Sequence, residues 1–168
     1  IAIMLLNKLG FEVHALTSKT SECDYFKQLG ANEILSRSEF LTQSAKPMLK
    51  PVYGAALDVA GGEVLATMLK LIKPGGSVAC CGLVASMELH TSVLPFILRG
   101  INFLGVDSVE LPLSVKQGMW KKMANEWSLP ELLPQCQLIS KQQLSDSLQA
   151  ILSGSVKGRF VLDHNLAH

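Results

Sequence analysis

Hydroxyl and cationic side chains follow the first predicted strand of this 168-residue chain. Residues 17–20, TSKT, come directly after the strand-like run FEVHAL (11–16) and just before a helix-like run (21–30). Hydroxyls and an ammonium beside a helix start suit a phosphate monoester, because each of these groups stabilises an anion. The alternative is that Thr20 or Ser21 only caps the helix and that the Lys19 ammonium is solvated.

The charge in this loop separates two dinucleotide cofactors. An NAD site usually places an acid after this strand to bind the ribose hydroxyls, whereas a basic residue accommodates the 2′-phosphate of NADP. The loop holds Lys19, and Glu22 comes only further on. If the loop binds a dinucleotide, its sequence favours NADP.

Three further loops follow predicted strands, namely DVAGG (58–62), GLV (82–84) and DS (107–108). Ligands of open α/β sheets bind beyond the carboxyl ends of the strands, so these loops are candidates for one shared site. Gly61 and Gly62 would let a flat ligand approach the backbone, or would simply form a tight turn from strand to helix. The sequence leaves both interpretations open.

The elements that carry these loops alternate along the chain. An opening helix ends before Gly10, and a polar connection and a KPGG turn (73–76) interrupt the later pattern. The predicted strands are 11–16, 32–35, 52–60, 77–82, 102–109, 136–139 and 158–163, and the predicted helices are 21–30, 62–72, 93–100, 113–127 and 142–152. Such alternation predicts an α/β fold with a doubly wound parallel sheet, because parallel strands need helical crossovers.

Composition excludes several classes of function. Hydrophobic residues make up 48% of the chain, charged residues 17%, and the net charge is +1. This balance predicts a folded core and neither a nucleic-acid nor a membrane partner, and no apolar run approaches the ~20 residues needed to cross a bilayer. The four cysteines and four histidines are scattered, so no metal site is predicted.

Several longer segments carry a family resemblance. LTSKTSECDYFKQLGA, AALDVAGGEVLATMLKLIKPGGSVACCGLVAS, LPFILRGINFLGVDSV and GRFVLD resemble the cofactor-binding half of medium-chain dehydrogenase/reductase proteins. The resemblance is to the quinone-oxidoreductase-like branch that includes NADPH-dependent acrylyl-CoA reductases. It implies a Rossmann-like NADP-binding domain over residues 1–163, with a tail at 164–168. It also implies zinc-independent hydride transfer from NADPH to an activated alkene, such as an enoyl thioester, or to a quinone.

The resemblance also implies that the chain is a C-terminal fragment. In this family a first strand and a glycine-rich loop lead into a helix, and IAIMLLNKLG resembles the remainder of that helix. The strand and loop are therefore expected before Ile1, and an N-terminal GroES-like domain further upstream. The enzyme would be a cytoplasmic homodimer, for which NFLGVDSVELP is a candidate edge.

Site residues follow from the same resemblance. Thr17, Ser18 and Lys19 would surround the adenosine 2′-phosphate, with Arg37 near the adenine end. Leu83, Ile97 and Ser108 would lie towards the nicotinamide. The sequence identifies no catalytic residue.

Two other functions stay open at this point. LKLIKPGGSV resembles a turn of S-adenosylmethionine-dependent methyltransferases, although Pro-Gly-Gly is common turn chemistry. Such enzymes tend to place an acid where this chain has residues 17–19. The second alternative is a non-catalytic fragment or association module.

Overall fold

The computed structural model describes residues 1–166 and contains short helices and strands in alternation. The helices are α1 Ala2–Lys8, α2 Cys23–Gln28, α3 Arg37–Leu41, α4 Gly62–Leu69, α5 Leu94–Arg99, α6 Leu113–Ala124 and α7 Leu144–Leu152. Two 3₁₀ segments span Thr20–Glu22 and Pro130–Gln135. The strands are β1 His14–Thr17, β2 Glu33–Ser36, β3 Tyr53–Asp58, β4 Ile72–Cys80, β5 Asn102–Gly105, β6 Cys136–Ile139 and β7 Arg159–Leu162.

Every strand pair in the described chain is parallel, which confirms the predicted α/β class. The hydrogen bonds form three sheets, β1-β2, β3-β4-β5 and β6-β7, where the sequence predicted one sheet. Because the paired strands run parallel, their carboxyl ends lie on a common edge of each sheet. The candidate loops all follow such ends.

A groove separates β1 from β3. It has a volume of about 340 Å³ and is lined by apolar residues of α1, α4 and both strands, including Leu6, Ala15, Ala56 and Val64. The two strands approach each other at His14 and Tyr53, whose rings meet edge to face with centroids 5.4 Å apart. One more strand here would give the Rossmann strand order, and residues 1–166 do not supply it.

The largest apolar cluster joins α4 to the middle sheet. It consists of Leu65 and Leu69 of α4, Ile72 and Val78 of β4, and Ile101 before β5. Leu65 and Leu69 are one helical turn apart, so α4 buries one face against the sheet. A second cluster, of Phe40, Leu49 and Leu71, packs under α3, and Tyr53 and Met68 contact both clusters.

Several predicted boundaries were wrong, and one helix was not predicted. Helix α4 ends at Leu69, and β4 runs through the predicted turn KPGG, where a register shift against β3 absorbs the extra residues. The backbone of Gly76 lies so close to Gly54 that a Cβ there would be 2.4 Å from the Gly54 carbonyl oxygen. Helix α3, predicted as a polar connection, forms because Phe40 buries its ring in the second cluster. Strand β5 ends at Gly105.

Within residues 1–166, no helix combines the length and hydropathy that a bilayer crossing requires. The predicted tail 164–168 begins just after β7, and its last two residues lie outside the described residues.

Candidate functional site

The predicted phosphate residues lie at one edge of the β1-β2 sheet. Thr17 at the end of β1 is in register with Ser36 at the end of β2. Ser18 and Lys19 follow the first of these residues, and Arg37 follows the second. The parallel register therefore brings the loop after β1 and the start of α3 to the same end of the sheet.

Side-chain contacts fix the shape of this loop. The Thr17 hydroxyl oxygen accepts a hydrogen bond of 3.0 Å from the Lys19 backbone N–H. The Lys19 ammonium is half-buried and donates to the Val156 carbonyl oxygen at 2.7 Å. An ammonium carries three N–H donors, so two remain for a ligand. Lys19 is thus held in place without being saturated.

Arg37 and Ser18 have their polar groups available. The Arg37 side chain is half-buried, and its guanidinium makes no hydrogen bond or ion pair with another residue of the described chain. Ser18 is exposed at the loop surface. A planar guanidinium can pair with a phosphate through its N–H groups and stack on a base through its face, so Arg37 could contact either group of a nucleotide at this edge.

The middle sheet provides a second edge. Asp58, Cys80 and Gly105 end β3, β4 and β5 in mutual register. Leu83 lies three residues beyond Cys80 and is 62% exposed, and the exposed Ser108 lies three residues beyond Gly105. The structure thus brings these two predicted nicotinamide residues to one edge. Ile97 lies on α5, outside these strand-end loops, and is 70% exposed.

Asp58 organises this second edge, a role that the sequence analysis missed. Its buried carboxylate accepts hydrogen bonds from the backbone N–H groups of Ala60 at 3.2 Å and Gly61 at 2.9 Å. The Cys80 thiol lies 3.7 Å from the same carboxylate. Burial raises the pKa of the Cys80 thiol, and the Asp58 charge adds to the rise. A buried acid at the end of a strand is a signal of such a turn.

Asp107 plays the corresponding role after β5. Its carboxylate accepts hydrogen bonds from the N–H groups of Val109 at 2.8 Å and Glu110 at 3.0 Å. These two bonds hold the pKa of Asp107 below its usual value of 3.8. The loop that carries Ser108 is therefore ordered by an ionised side chain.

A cation that the sequence analysis did not select also lies at the first edge. Lys157 lies in the segment directly before β7, and its ammonium is 2.5 Å from a carboxylate oxygen of Glu22. Lys157 precedes the strand GRFVLD, and loops at strand starts are not usually candidate site loops, whereas loops at strand ends are. The sequence therefore contains no signal for it.

Comparisons with known proteins support the resemblance seen in the sequence. Residues 1–126 match the family described as zinc-binding dehydrogenase. The acrylyl-CoA reductase AcuI of Ruegeria pomeroyi is 34% identical over 98% of this chain and 50% of its own. YhfP of Bacillus subtilis, a candidate quinone oxidoreductase, is 37% identical over 96% of this chain and 49% of its own. The chain spans about half the length of the curated relatives it matches.

Solved structures agree with the sequence matches. The crystal structure of YhdH from Escherichia coli K-12 with bound NADPH has a TM-score of 0.89 and 34% identity, and this chain covers 49% of it. The Bacillus subtilis yhfP structure with NAD bound has a TM-score of 0.91 and 36% identity, with 50% covered. The Rossmann-like fold is thereby confirmed, and the methyltransferase alternative gains no support.

The residues that the structure describes do not fit the metal in the matching family's name. Among residues 1–166, no group of three His, Cys, Asp or Glu side chains is arranged to hold a metal ion. The Cys80 thiol contacts the Asp58 carboxylate and the Gly82 carbonyl oxygen, and the Cys81 thiol contacts the Asp58 carbonyl oxygen.

Proposed function

Because the chain belongs to the zinc-binding dehydrogenase family, we propose that it forms the NADPH-binding part of an oxidoreductase. One observation carries this proposal: Lys19 and Arg37 lie at the carboxyl edge of the same strand pair, and each has N–H donors available. A positively charged edge of this kind suits the 2′-phosphate that distinguishes NADPH from NADH. The donor set at this edge fits the cofactor.

The two edges would divide the binding of the cofactor between them. Thr17, Ser18, Lys19 and Arg37 would hold the 2′-phosphate and the adenine end. Leu83 and Ser108 at the second edge, with Ile97 on α5, would line the nicotinamide end, where apolar groups exclude water. When bound, NADPH would supply a hydride.

The substrate proposed is an activated alkene, an enoyl thioester such as acrylyl-CoA, with a quinone as the alternative. Two relatives support this choice of substrate, because one is an acrylyl-CoA reductase and the other is a candidate quinone oxidoreductase. No residue of this chain is assigned a catalytic role.

The organisation of the protein is part of the proposal. Residues 1–163 would form one cofactor-binding domain followed by the tail, in a cytoplasmic homodimer. Strand β5 supports the dimer, because all four of its residues are exposed and in the described chain it pairs only with β4. An exposed apolar edge strand favours pairing with a second copy.

The proposal is tested by titrating the chain with NADPH and with NADH, following cofactor fluorescence. The Lys19→Ala, Arg37→Ala double variant is expected to lose about tenfold in NADPH affinity for each cation removed, with a much smaller loss for NADH, which lacks the 2′-phosphate. The matched control is Lys70→Ala, because Lys70 likewise donates from a half-buried ammonium to a distant carbonyl, that of Ser44 at 2.6 Å. Equal affinity of the unaltered chain for both dinucleotides would contradict the proposal.

A further inference from the structure

The segment before β7 lies directly on the loop after β1. The Lys19 ammonium donates to the Val156 carbonyl oxygen at 2.7 Å, and the next residue, Lys157, forms the 2.5 Å ion pair with Glu22. Glu22 is itself linked back to Lys19 by a backbone hydrogen bond of 3.0 Å, from its N–H to the Lys19 carbonyl. Two ammonium groups and one carboxylate therefore occupy a single patch, closed by contacts between residues far apart in sequence.

Each charged group of this patch has a different capacity for a ligand. The Lys157 side chain is 53% exposed and uses one of its three N–H donors on Glu22, so it can contact a further anion. The Glu22 side chain is only 26% exposed and has Lys157 as its ion-pair partner. Without that partner, Glu22 would repel a phosphate at this edge, because like charges separated by a few ångströms in a partly desolvated site interact strongly.

We propose that Lys157 is a second cation of the 2′-phosphate site and that its ion pair with Glu22 sets the preference for NADPH over NADH. This inference rests on the proposed function, since it assumes that the dinucleotide binds at this edge. The Lys157 ammonium contributes its own charge and cancels that of Glu22, so the phosphate meets a net positive patch. Lys157 also occupies the carboxylate that could otherwise accept hydrogen bonds from the ribose hydroxyls of NADH.

The two members of the pair therefore have opposite effects when they are changed. Lys157→Met removes one cation and frees Glu22, which weakens binding of the phosphate and makes an acceptor available to NADH. Glu22→Gln removes the negative charge and releases Lys157 to the phosphate. A lysine that only stabilised the fold would not shift the two affinities in different directions.

The test measures dissociation constants by calorimetry for the unaltered chain and its variants with NADPH, NADH, adenosine 2′,5′-bisphosphate and 5′-AMP. Lys157→Met is expected to weaken binding of the two 2′-phosphate probes about tenfold, as for loss of one charge-assisted contact, without weakening that of NADH or 5′-AMP. Lys157→Arg is expected to retain the preference, and Glu22→Gln to strengthen binding of the 2′-phosphate probes. Circular dichroism confirms that each variant is folded.

The matched control is Lys122→Met. Lys122 of α6 is 50% exposed and forms an ion pair at 3.5 Å with Glu126, which lies just beyond that helix, so the variant removes a comparable charge pair elsewhere. Its affinities should equal those of the unaltered chain.

Two results would overturn the inference by different routes. If the unaltered chain prefers the 2′-phosphate probes and Lys157→Met keeps that preference, Lys157 is not part of the site, although the proposed function stands. If the unaltered chain shows no preference for a 2′-phosphate, the proposed function fails, and the inference fails with it.

Discussion

Among single residues, two aspartates show how burial changes the stability that one hydrogen-bonding pattern contributes. Asp58 ends β3 and Asp107 follows β5. Each carboxylate accepts two backbone hydrogen bonds from the residues that come next in the chain. Asp58 is 1% exposed, whereas Asp107 is exposed to water. Water can replace the Asp107 carboxylate, whereas the Gly61 N–H that donates to Asp58 is buried.

We predict that Asp58→Ala lowers the free energy of unfolding by about 2–4 kcal/mol, because the buried Gly61 N–H and the part-buried Ala60 N–H lose their acceptor. The matched control, Asp107→Ala, removes the same pair of contacts at the surface and should change stability little. Urea unfolding followed by circular dichroism measures both. A loss for Asp107→Ala equal to that for Asp58→Ala would show that burial does not set the cost.

At the element scale, the turn from β3 into α4 was predicted from sequence, while its partner was not. The pair Gly61-Gly62 indicated a tight turn or a close approach, and both glycines have positive φ, 70° and 60°. What they approach is Ser86, in a loop that follows a different strand, and Ser86 forms an isolated parallel bridge with Gly61. Local turn chemistry is visible in a sequence, whereas contacts across 25 residues depend on packing.

We predict that Gly61→Ala destabilises the chain by more than the ~1–3 kcal/mol of backbone strain at such a φ, because a Cβ there would lie 2.2 Å from the Ser86 carbonyl oxygen. Gly105→Ala is the matched control at another strand end, where a Cβ would meet no atom within 4 Å. The midpoint of thermal unfolding measures both variants. Equal midpoints for the two would contradict the close approach of the turn to Ser86.

At the scale of the whole molecule, the class of the fold and the position of the phosphate edge followed from alternation and from the polar residues after β1. The resemblance implied a sheet without its first strand, and a groove of about 340 Å³ separates β1 from β3, but the separate β6-β7 sheet was not predicted. Lys157 was also missed. It reaches the edge from the start of the last strand, 135 residues after Glu22, and such long-range proximity requires the folded chain.

The carboxyl edge of β1 and β2 is proposed to bind a phosphate, and the assignments of the other cofactor residues follow from this site. Amide NMR shifts of the chain during titration with adenosine 2′,5′-bisphosphate test this claim directly. We predict that the largest shifts fall on Thr17, Ser18, Lys19 and Arg37, with Lys157 among the residues affected. Shifts confined to the loops after β4 and β5, or no shift at saturating probe, would contradict it.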